Sequence, residues 1–362
     1  MHIRHKGFSL VEIMVGLTIG FLGMIVILQV FSVTESGKLT TTAGGDAQQN
    51  AALSLHTIER DLRMAGYGLN AIPDLMGCKI NAYNSERSPQ NFDFLLTAVV
   101  IEQGTDNAPD TLTITYSSSD MGSAPASIIQ NMPSPAAVYK VNNRFGFNPG
   151  DLIVAAEEDK DCTLAQTTDI PGGGQSDNVI HNSGNYTPPG GGKQSAIYNK
   201  PSGLGTAYTT KAKLYNLGPV PGSNIYSIGP LLNSEFAEAC NNQPQCVNAL
   251  VVTSNFTGES ELVASNVIDL QAEYGTDANG DGMIGATEYG TAAPADWSKV
   301  LAVRFGVVAR SSKREPTEVT TTVPSWAAGD LTHISDDGDN WKHYRYRVFE
   351  TTAMLRNMLW KP

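Results

Sequence analysis

The densest set of potential ligand atoms in the sequence lies in residues 277–288. Acidic or amide side chains recur there at alternate positions, a glycine follows them, and a glutamate ends the segment. This spacing matches the calcium-loop pattern D-x-[DN]-x-[DN]-G-x5-E at every defined position. Alternate positions direct oxygens inward, the glycine permits a sharp turn, and the glutamate can bind bidentately. We therefore predict one Ca²⁺ bound by Asp277, Asn279, Asp281, the carbonyl oxygen of Met283, and Glu288.

The sequence around this loop is strand-like before it and contains proline after it, so the loop lacks the flanking helices of an EF-hand. The alternative interpretation is an acidic, solvated turn in an acidic protein. If calcium binds, it should fix the connection between a strand that ends near Tyr274 and one that begins near Trp297.

Four cysteines form the second group of reactive side chains: Cys78, Cys162, Cys240 and Cys246. An even number is consistent with two disulfides, and four cysteines allow three connectivities. A bond from Cys240 to Cys246 would close a short loop and leave Cys78 to pair with Cys162. A zinc site would require paired C-x2-4-C spacing, which is absent.

No catalytic arrangement stands out in the sequence. The H-E-x-x-H and G-x-S-x-G motifs are absent, and the six histidines are scattered. The formal charge of −12 and the lack of a basic cluster with interleaved aromatics argue against nucleic-acid binding. We therefore expect a protein that is not an enzyme, and no site for nucleic acid.

The element that must position these groups begins with an apolar run over residues 8–31, which would span roughly 36 Å as a helix and could cross a bilayer. The short segment before it carries Arg4 and Lys6, which the positive-inside rule keeps in the cytoplasm. One carboxylate, Glu12, lies inside the run and implies a partner, because a charge at that depth costs on the order of 3 kcal/mol.

The residues Lys6-Gly7-Phe8-Ser9-Leu10-Val11-Glu12 resemble the class III signal of type IV prepilins and of the pseudopilins of type II secretion. The resemblance implies that a prepilin peptidase cleaves after Gly7 and methylates the new amino terminus at Phe8. It also implies that Glu12 supports docking into the fibre. On this basis residues 1–7 are the leader and 8–33 the transmembrane and fibre-core helix.

Residues 34–68 are predicted to form the amphipathic second half of the same helix, which Gly66 and Gly68 should end. Threonines and glycines at 40–45 lower helix propensity and predict a bend or a frayed turn. No proline occurs between 8 and 66, so the membrane half should be straight. The positions expected to face the head are Ala47, Ala51, Leu55, Ile58, Leu62 and Ala65.

Residues 69–362 are predicted to form one β-rich head. Alternating patterns indicate strands at 92–102, 111–116, 137–141, 152–156, 249–253, 262–274, 297–310 and within 343–359. Residues 171–205, rich in Gly, Pro, Ser and Asn, are predicted to form a long exposed loop. The expected fold class is α+β and type IV pilin-like, with a long N-terminal helix packed on a large, mostly antiparallel β-sheet head.

Three further segments are similar to PilW-type minor pilins: residues 61–67 (DLRMAGY), residues 150–154 leading to Cys162, and residues 347–352 (RVFETT) with 355–357 (LRN). The resemblance implies a minor pilin that helps prime pilus assembly at or near the fibre tip. Its implied partners are other minor and major pilins, the prepilin peptidase, the inner-membrane assembly platform and a tip adhesin.

Such a subunit would cross the inner membrane once, with a cytoplasmic N-terminus and a periplasmic head, and would reach the cell surface in the fibre. Two alternatives stay open from the sequence. One is a J-type minor pseudopilin of a type II secretion system, and the other is a membrane-anchored calcium-dependent adhesin or hydrolase.

Overall fold

A long helix and a β-rich head make up the computed structural model, which describes residues 9–69, 73–120, 124–171, 177–203, 205–229 and 249–359. Helix α1 (Leu10–Met64) is continuous over 55 residues. Within the described chain it is the one helix long and apolar enough to cross a membrane. A long N-terminal helix joined to a head of mostly antiparallel sheets confirms the predicted α+β, pilin-like fold.

Of the bend or frayed turn predicted at 40–45, the frayed turn is wrong, because α1 continues through this segment. The hydroxyl groups of Thr41 and Thr42 donate to the carbonyl oxygens four residues earlier, at 3.0 Å each, while Ala43 is buried against the head. Tertiary packing therefore outweighs the low helix propensity of these residues. The predicted end is confirmed, since α1 stops at Met64 and Gly66 and Gly68 adopt positive φ angles of 75° and 78°.

The described part of the head contains 21 strands, a few short helices and several turns. In chain order the strands are β1 (Lys79–Tyr83), β2 (Asn91–Leu95), β3 (Val99–Glu102), β4 (Thr111–Tyr116), β5 (Ala126–Ser127), β6 (Tyr139–Val141), β7 (Leu152–Ala156), β8 (Cys162–Gln166), β9 (Asp177–Val179), β10 (Asn185–Tyr186), β11 (Gln194–Ser195), β12 (Lys213–Gly218), β13 (Gly222–Ile228), β14 (Ala249–Ser254), β15 (Ser260–Ser265), β16 (Val267–Thr276), β17 (Tyr289–Gly290), β18 (Val300–Arg310), β19 (Ser325–Trp326), β20 (Gly329–Asp330) and β21 (Tyr346–Met354). The helices are a 3₁₀ segment (Thr332–His343) and α2 (Arg356–Leu359); shorter 3₁₀ turns lie at Pro73–Leu75, Thr105–Asn107 and Trp297–Lys299.

Three larger sheets organise the head. Their strand orders are β2-β1-β8-β7-β12-β5, β15-β14-β13-β4-β3 and β17-β16-β18-β21, and the pairs β6-β9, β10-β11 and β19-β20 are separate. Among the described pairings only β1 with β8 is parallel. The sheets are therefore mostly antiparallel, as predicted.

Several predicted strands agree with the structure and others do not. The segments 111–116 and 152–156 are β4 and β7, whereas 92–102 is divided between β2 and β3 and 262–274 between β15 and β16. The second division falls at Asn266, whose φ of 56° interrupts an extended chain. The predicted strand at 297 instead begins with a 3₁₀ turn, and β18 starts at Val300. No strand was predicted for β1, β12 or β13.

The Gly/Pro-rich segment 171–205 is largely exposed, as predicted, but its described residues also form short strands. Strand β9 pairs with β6, and β10 with β11 forms a hairpin. Asn199 is buried, donating to the carbonyl oxygen of Gln166 at 2.7 Å and accepting from its N–H at 2.7 Å. The segment is therefore fastened to β8 and is not a free loop.

The main core lies between the second half of α1 and the two sheets that contain β4 and β18. Ile58, Leu62 and Ala65 pack there in one cluster with Phe305 of β18 and with Leu355, the residue after β21. Ala47 and Ala51 pack near Ala309 further along the helix. Of the six predicted contact positions, all are fully buried except Leu55, which is partly buried. The amphipathic pattern of α1 thus predicted its packed face correctly.

Candidate functional site

The first half of α1 has no packing partner within the described chain. Every described side chain over residues 9–38 is exposed, including Leu10 at 75% and Phe31 at 66%. Among the described side chains, the first to contact the head is Thr40, whose hydroxyl donates to Glu315 Oε2 at 3.3 Å. A continuous apolar surface of this length requires another apolar environment, because exposure to water is unfavourable in proportion to its area.

Glu12 forms a capping box at the start of this exposed helix. Its Oε2 accepts the backbone N–H of Ser9 at 2.9 Å, and its own N–H donates to Ser9 Oγ at 3.4 Å. The carboxylate is therefore partly satisfied within the chain. The predicted cleavage residues Gly7 and Phe8 lie outside the described residues.

The other end of α1 is fastened to the head by a buried carboxylate. Asp61 is 1% exposed and accepts hydrogen bonds at 2.7 Å from both Tyr226 Oη and Asn224 Nδ2 of β13. The guanidinium group of Arg60 lies 3.2 Å from Asp61 Oδ1 but is 65% exposed. Burial raises the pKa of Tyr226, and the charge of Asp61 raises it further. The phenol therefore stays protonated near neutral pH and can donate its hydrogen bond.

The chain terminus caps this end of the helix. Asn357 Nδ2 donates to the carbonyl oxygens of Met64 and Ala65 at 3.0 and 3.2 Å, groups that helix geometry leaves unpaired. A side chain at Gly66 would place its Cβ 2.6 Å from Met358 Sδ. Two of the segments that resemble PilW-type pilins, 61–67 and 355–357, therefore meet in the structure, a contact that sequence reasoning missed.

The predicted calcium loop is folded around the Asp277 carboxylate. Asp277 Oδ1 accepts the N–H groups of Gly280 and Asp281 at 2.7 and 3.1 Å, and Oδ2 accepts that of Gly282 at 3.0 Å. Gly280 and Gly282 both adopt a φ of 77°, a conformation that favours glycine. Gly282, the glycine of the motif, therefore adopts the turn conformation that the pattern predicted.

The other predicted ligands lie close to this turn, but most of their side-chain oxygens accept hydrogen bonds from backbone N–H groups. Glu288 Oε1 accepts from the N–H of Ala278 at 3.2 Å and Oε2 from that of Gly285 at 2.8 Å. Asp281 Oδ1 accepts the N–H of Met283 at 2.8 Å, and Asn279 Nδ2 donates to Asp281 Oδ2 at 3.1 Å. Within the described residues no three acidic, histidine or cysteine side chains converge on one point suited to a metal ion. Asp281 and Glu288 would have to turn inward to bind one.

Both ends of the loop are mounted on the four-stranded sheet. Thr276 N–H donates to the carbonyl oxygen of Glu288 at 3.0 Å, and Asp277 N–H donates to that of Lys299 at 2.9 Å. Beside them, Arg304 pairs with Glu273 and lies 4.4 Å over the ring of Tyr289 in β17. The loop therefore joins β16 to the start of β18, which is the connection expected from the sequence.

A disulfide joins Cys78 to Cys162, with the Cα atoms 6.0 Å apart. It ties the start of β8 to the residue before β1, the two strands that pair in parallel. This is one of the two bonds expected from the sequence. Cys240 and Cys246 lie outside the described residues.

Comparison with known proteins gives two matches to family models. The prokaryotic N-terminal methylation motif matches residues 3–28, which include Gly7, Phe8 and Glu12. The type IV pilus-assembly protein W (PilW) matches residues 237–357, which contain the calcium loop, β18, β21 and the Asn357 cap. No curated protein and no solved structure matches the chain.

The two matches cover opposite ends of the chain and describe a structural, membrane-anchored pilus component, in agreement with the apolar helix and the capped head. Neither match favours a pseudopilin of type II secretion, an adhesin or a hydrolase. Of the other segments that resemble PilW-type pilins, 61–67 and 150–154 lie outside the matched ranges, whereas 347–352 and 355–357 lie inside. The two matches together support a PilW-type minor pilin of the type IV pilus.

Proposed function

We propose that this minor pilin is stored in the inner membrane with its head in the periplasm and then helps to prime the fibre at or near its tip. Prepilin peptidase cleaves it after Gly7 and methylates Phe8, and the assembly platform brings it together with other minor pilins. Major pilins are added behind this complex, and a tip adhesin is a further partner. The methylation-motif match at residues 3–28 supports the processing step.

The observation that carries this proposal is the uncovered first half of α1. Its apolar side chains contact nothing in the described head, and the head is attached only from Thr40 onward. Such a surface can lie first in the membrane and then in the fibre, because lipid tails and neighbouring apolar helices both cover it without requiring backbone hydrogen bonds. The same helix therefore serves for storage and for assembly.

Glu12 would change partners between these two states. In the single chain its carboxylate accepts the Ser9 N–H, which reduces the cost of a polar group at that depth. Beside the positive amino terminus of a neighbouring pilin it would form an ion pair instead. Because Glu12 is present, we place another pilin ahead of this subunit in the complex.

The test is incorporation into sheared fibres, measured by quantitative mass spectrometry of fibres and of membranes. Glu12→Ala should insert in the membrane at the wild-type level but fall at least tenfold in fibres. Glu35→Ala is the matched control, because Glu35 is an exposed acid of the same helix beyond the apolar run. Equal incorporation of wild type and Glu12→Ala would contradict the docking role.

We also propose that the loop at 277–288 binds one Ca²⁺ after export. The full motif supports this, as does the Asp277 turn, which arranges backbone donors and positive-φ glycines around the first ligand position. Asn279, the Met283 carbonyl oxygen, Asp281 and Glu288 would complete the shell after Asp281 and Glu288 exchange backbone donors for the ion. The ion would then hold the connection from β16 to β18.

The calcium proposal is tested by titration calorimetry and thermal melting of the full mature chain in detergent. Calcium at a hundred times its Kd should add about 2.7 kcal/mol to the free energy of unfolding, provided that the unfolded chain does not bind it. Asp277→Ala with Glu288→Ala should abolish the effect, whereas Glu158→Ala, at an exposed acid outside the loop, should not. Identical melting of wild type in chelator and in calcium would leave the loop as an acidic turn.

A further inference from the structure

The connection between β18 and β21, residues 311–345, leaves the four-stranded sheet and folds back over it; we call it the strap. Its Leu331, Ile334 and Trp341 pack against Val308 of β18 in one apolar cluster. Neighbouring β18 residues Val303, Phe305 and Val307 instead belong to the core that contains α1. Because successive strand residues face opposite sides, the strap covers the face of the sheet away from α1.

The strap also reaches α1 where the helix first meets the head. Glu315 Oε2 accepts the hydroxyl of Thr40 at 3.3 Å. Two contacts within the strap hold Glu315: its N–H donates to the carbonyl oxygen of His343 at 2.8 Å, and Arg345 Nε donates to its Oε1 at 3.3 Å. Whether the strap is packed on the sheet therefore determines whether Glu315 contacts Thr40 at the base of the head.

A buried acid on β16 and a histidine of the strap face each other where the strap covers the sheet. His333 Nε2, on the 3₁₀ segment, lies 3.5 Å from Oδ2 of Asp269, which is 0% exposed on β16. Asp269 Oδ1 accepts from Gln271 Nε2 at 3.0 Å. In the described structure, Asp269 Oδ2 and both ring nitrogens of His333 are buried without a hydrogen-bond partner. Unpaired buried polar atoms are destabilising, so a hydrogen bond between the two side chains would stabilise this pair.

Other acidic groups surround the pair. Asp110, on the connection from β3 to β4, is the acid whose charge acts on Asp269. Asp336 lies on the strap beside His333, and Asp106 lies on the Thr105–Asn107 turn that contacts the 3₁₀ segment. Burial raises the pKa of Asp269 to about 7 and lowers the pKa of His333 below its ordinary 6.5.

We propose that Asp269 and His333 form a proton-operated latch that seats the strap and, through Glu315, its contact with α1. With one titratable proton shared between them, the pair is neutral overall and closes into a hydrogen bond. With none, the neutral ring can still donate its N–H to the carboxylate, but a net negative charge is buried. With two, the imidazolium can donate to the neutral acid, but a net positive charge is buried. The strap is therefore held most firmly when the pair carries one proton.

The directions in which the pKa values of Asp269 and His333 are shifted determine the pH range in which the latch loosens. The pKa of Asp269 is higher in the folded chain, so its contribution to stability is complete below 3.8 and is lost as the pH rises to about 7. The pKa of His333 is lower in the folded chain, so its contribution is present above 6.5 and is lost as the pH falls. Rising pH should therefore loosen the latch through Asp269, and strong acid should loosen it through His333.

The first measurement is the Tm of the full mature chain in detergent between pH 5 and pH 8. The Tm of wild type minus that of Asp269→Asn should fall by roughly 3 °C or more over this range, because the variant lacks the titrating carboxyl. The exposed His56→Gln substitution on α1 should follow wild type at every pH. A difference between wild type and Asp269→Asn that stays constant with pH would overturn the proposal.

The second measurement reports on the strap itself. Trypsin can cleave after Lys313 and Arg314, two exposed strap residues. The cleavage rate of wild type divided by that of Asp269→Asn, taken at the same pH to cancel the pH dependence of trypsin, should rise about threefold from pH 6 to pH 8.5. A ratio that does not change would contradict the link from latch to strap.

If Asp269→Asn fails to fold, His333→Gln provides the same test. The fall in Tm that wild type shows at acid pH should disappear in this variant. The fall at rising pH should occur at a different pH, because the shared proton has lost one of its two sites. A His333→Gln profile parallel to wild type from pH 5 to pH 8 would overturn the latch.

Discussion

The hydrogen bonds of Asp61 should account for much of the attachment between α1 and the head. Its carboxylate is nearly inaccessible to water and accepts two bonds at 2.7 Å, from Tyr226 and Asn224. A hydrogen bond to a charged group contributes about 1.5 to 3 kcal/mol. Removing the carboxylate breaks both bonds and leaves buried donors unpaired, so Asp61→Ala should lower the free energy of unfolding by about 3 to 5 kcal/mol.

The two neighbouring substitutions separate this network from a general surface effect. Tyr226→Phe removes one of the two bonds and should lower the free energy of unfolding by about 1.5 to 3 kcal/mol. Arg60→Ala should change it by less than about 1 kcal/mol, because the guanidinium group is mostly exposed and its ion pair is screened.

The assay is urea unfolding of the full mature chain in detergent, followed by tryptophan fluorescence. A double-mutant cycle of Asp61→Ala with Tyr226→Phe should give a coupling energy of about 0.5 to 3 kcal/mol. Additive effects in the cycle, or a Tyr226→Phe variant no less stable than Arg60→Ala, would contradict this role of the Asp61 hydrogen bonds.

Two further predictions concern processing and the disulfide. N-terminal sequencing of the mature protein should begin at Phe8, and Gly7→Asp should leave the unprocessed chain in the membrane; a processed Gly7→Asp variant would contradict the prepilin interpretation. The Cys78–Cys162 bond closes a loop with a sequence separation of 84, worth about 4.5 kcal/mol in the chain-entropy model. Cys78→Ala and Cys162→Ala should lower the urea midpoint to the same extent as each other and by no more than reductant does, because reductant would also open a Cys240–Cys246 bond. A midpoint insensitive to all three would show that the Cys78–Cys162 bond contributes nothing.

Features that depend on neighbouring residues in the chain could be predicted from the sequence. The four- and three-residue spacing of apolar positions identified the packed face of α1, and the glycines after Ala65 identified its end. The i,i+4 pair of Glu59 and Arg63, at 2.7 Å, is another contact of this local kind. The turn at Asp277 also follows from local chemistry, because its acceptors and donors lie within six residues of one another.

Features that depend on distant residues required the tertiary structure. The sequence alone predicted a bend or a frayed turn at 40–45, but the packing of Ala43 and the contact of Thr40 with Glu315, 275 positions away, keep the helix continuous. Asp61 has no local signal for its partners on β13, and the Asn357 cap joins opposite ends of the chain.

The same limit applies to Asp269 and His333, which lie 64 positions apart and meet only because the strap folds over the sheet. The sequence determined that a long apolar helix carries an acidic, β-rich head with a calcium-type loop. Tertiary packing decided which polar groups are buried, and with them the pKa values and contacts that hold the helix to the head. The physical reason is that propensity and periodicity act over a few residues, whereas burial depends on which distant segments exclude water together.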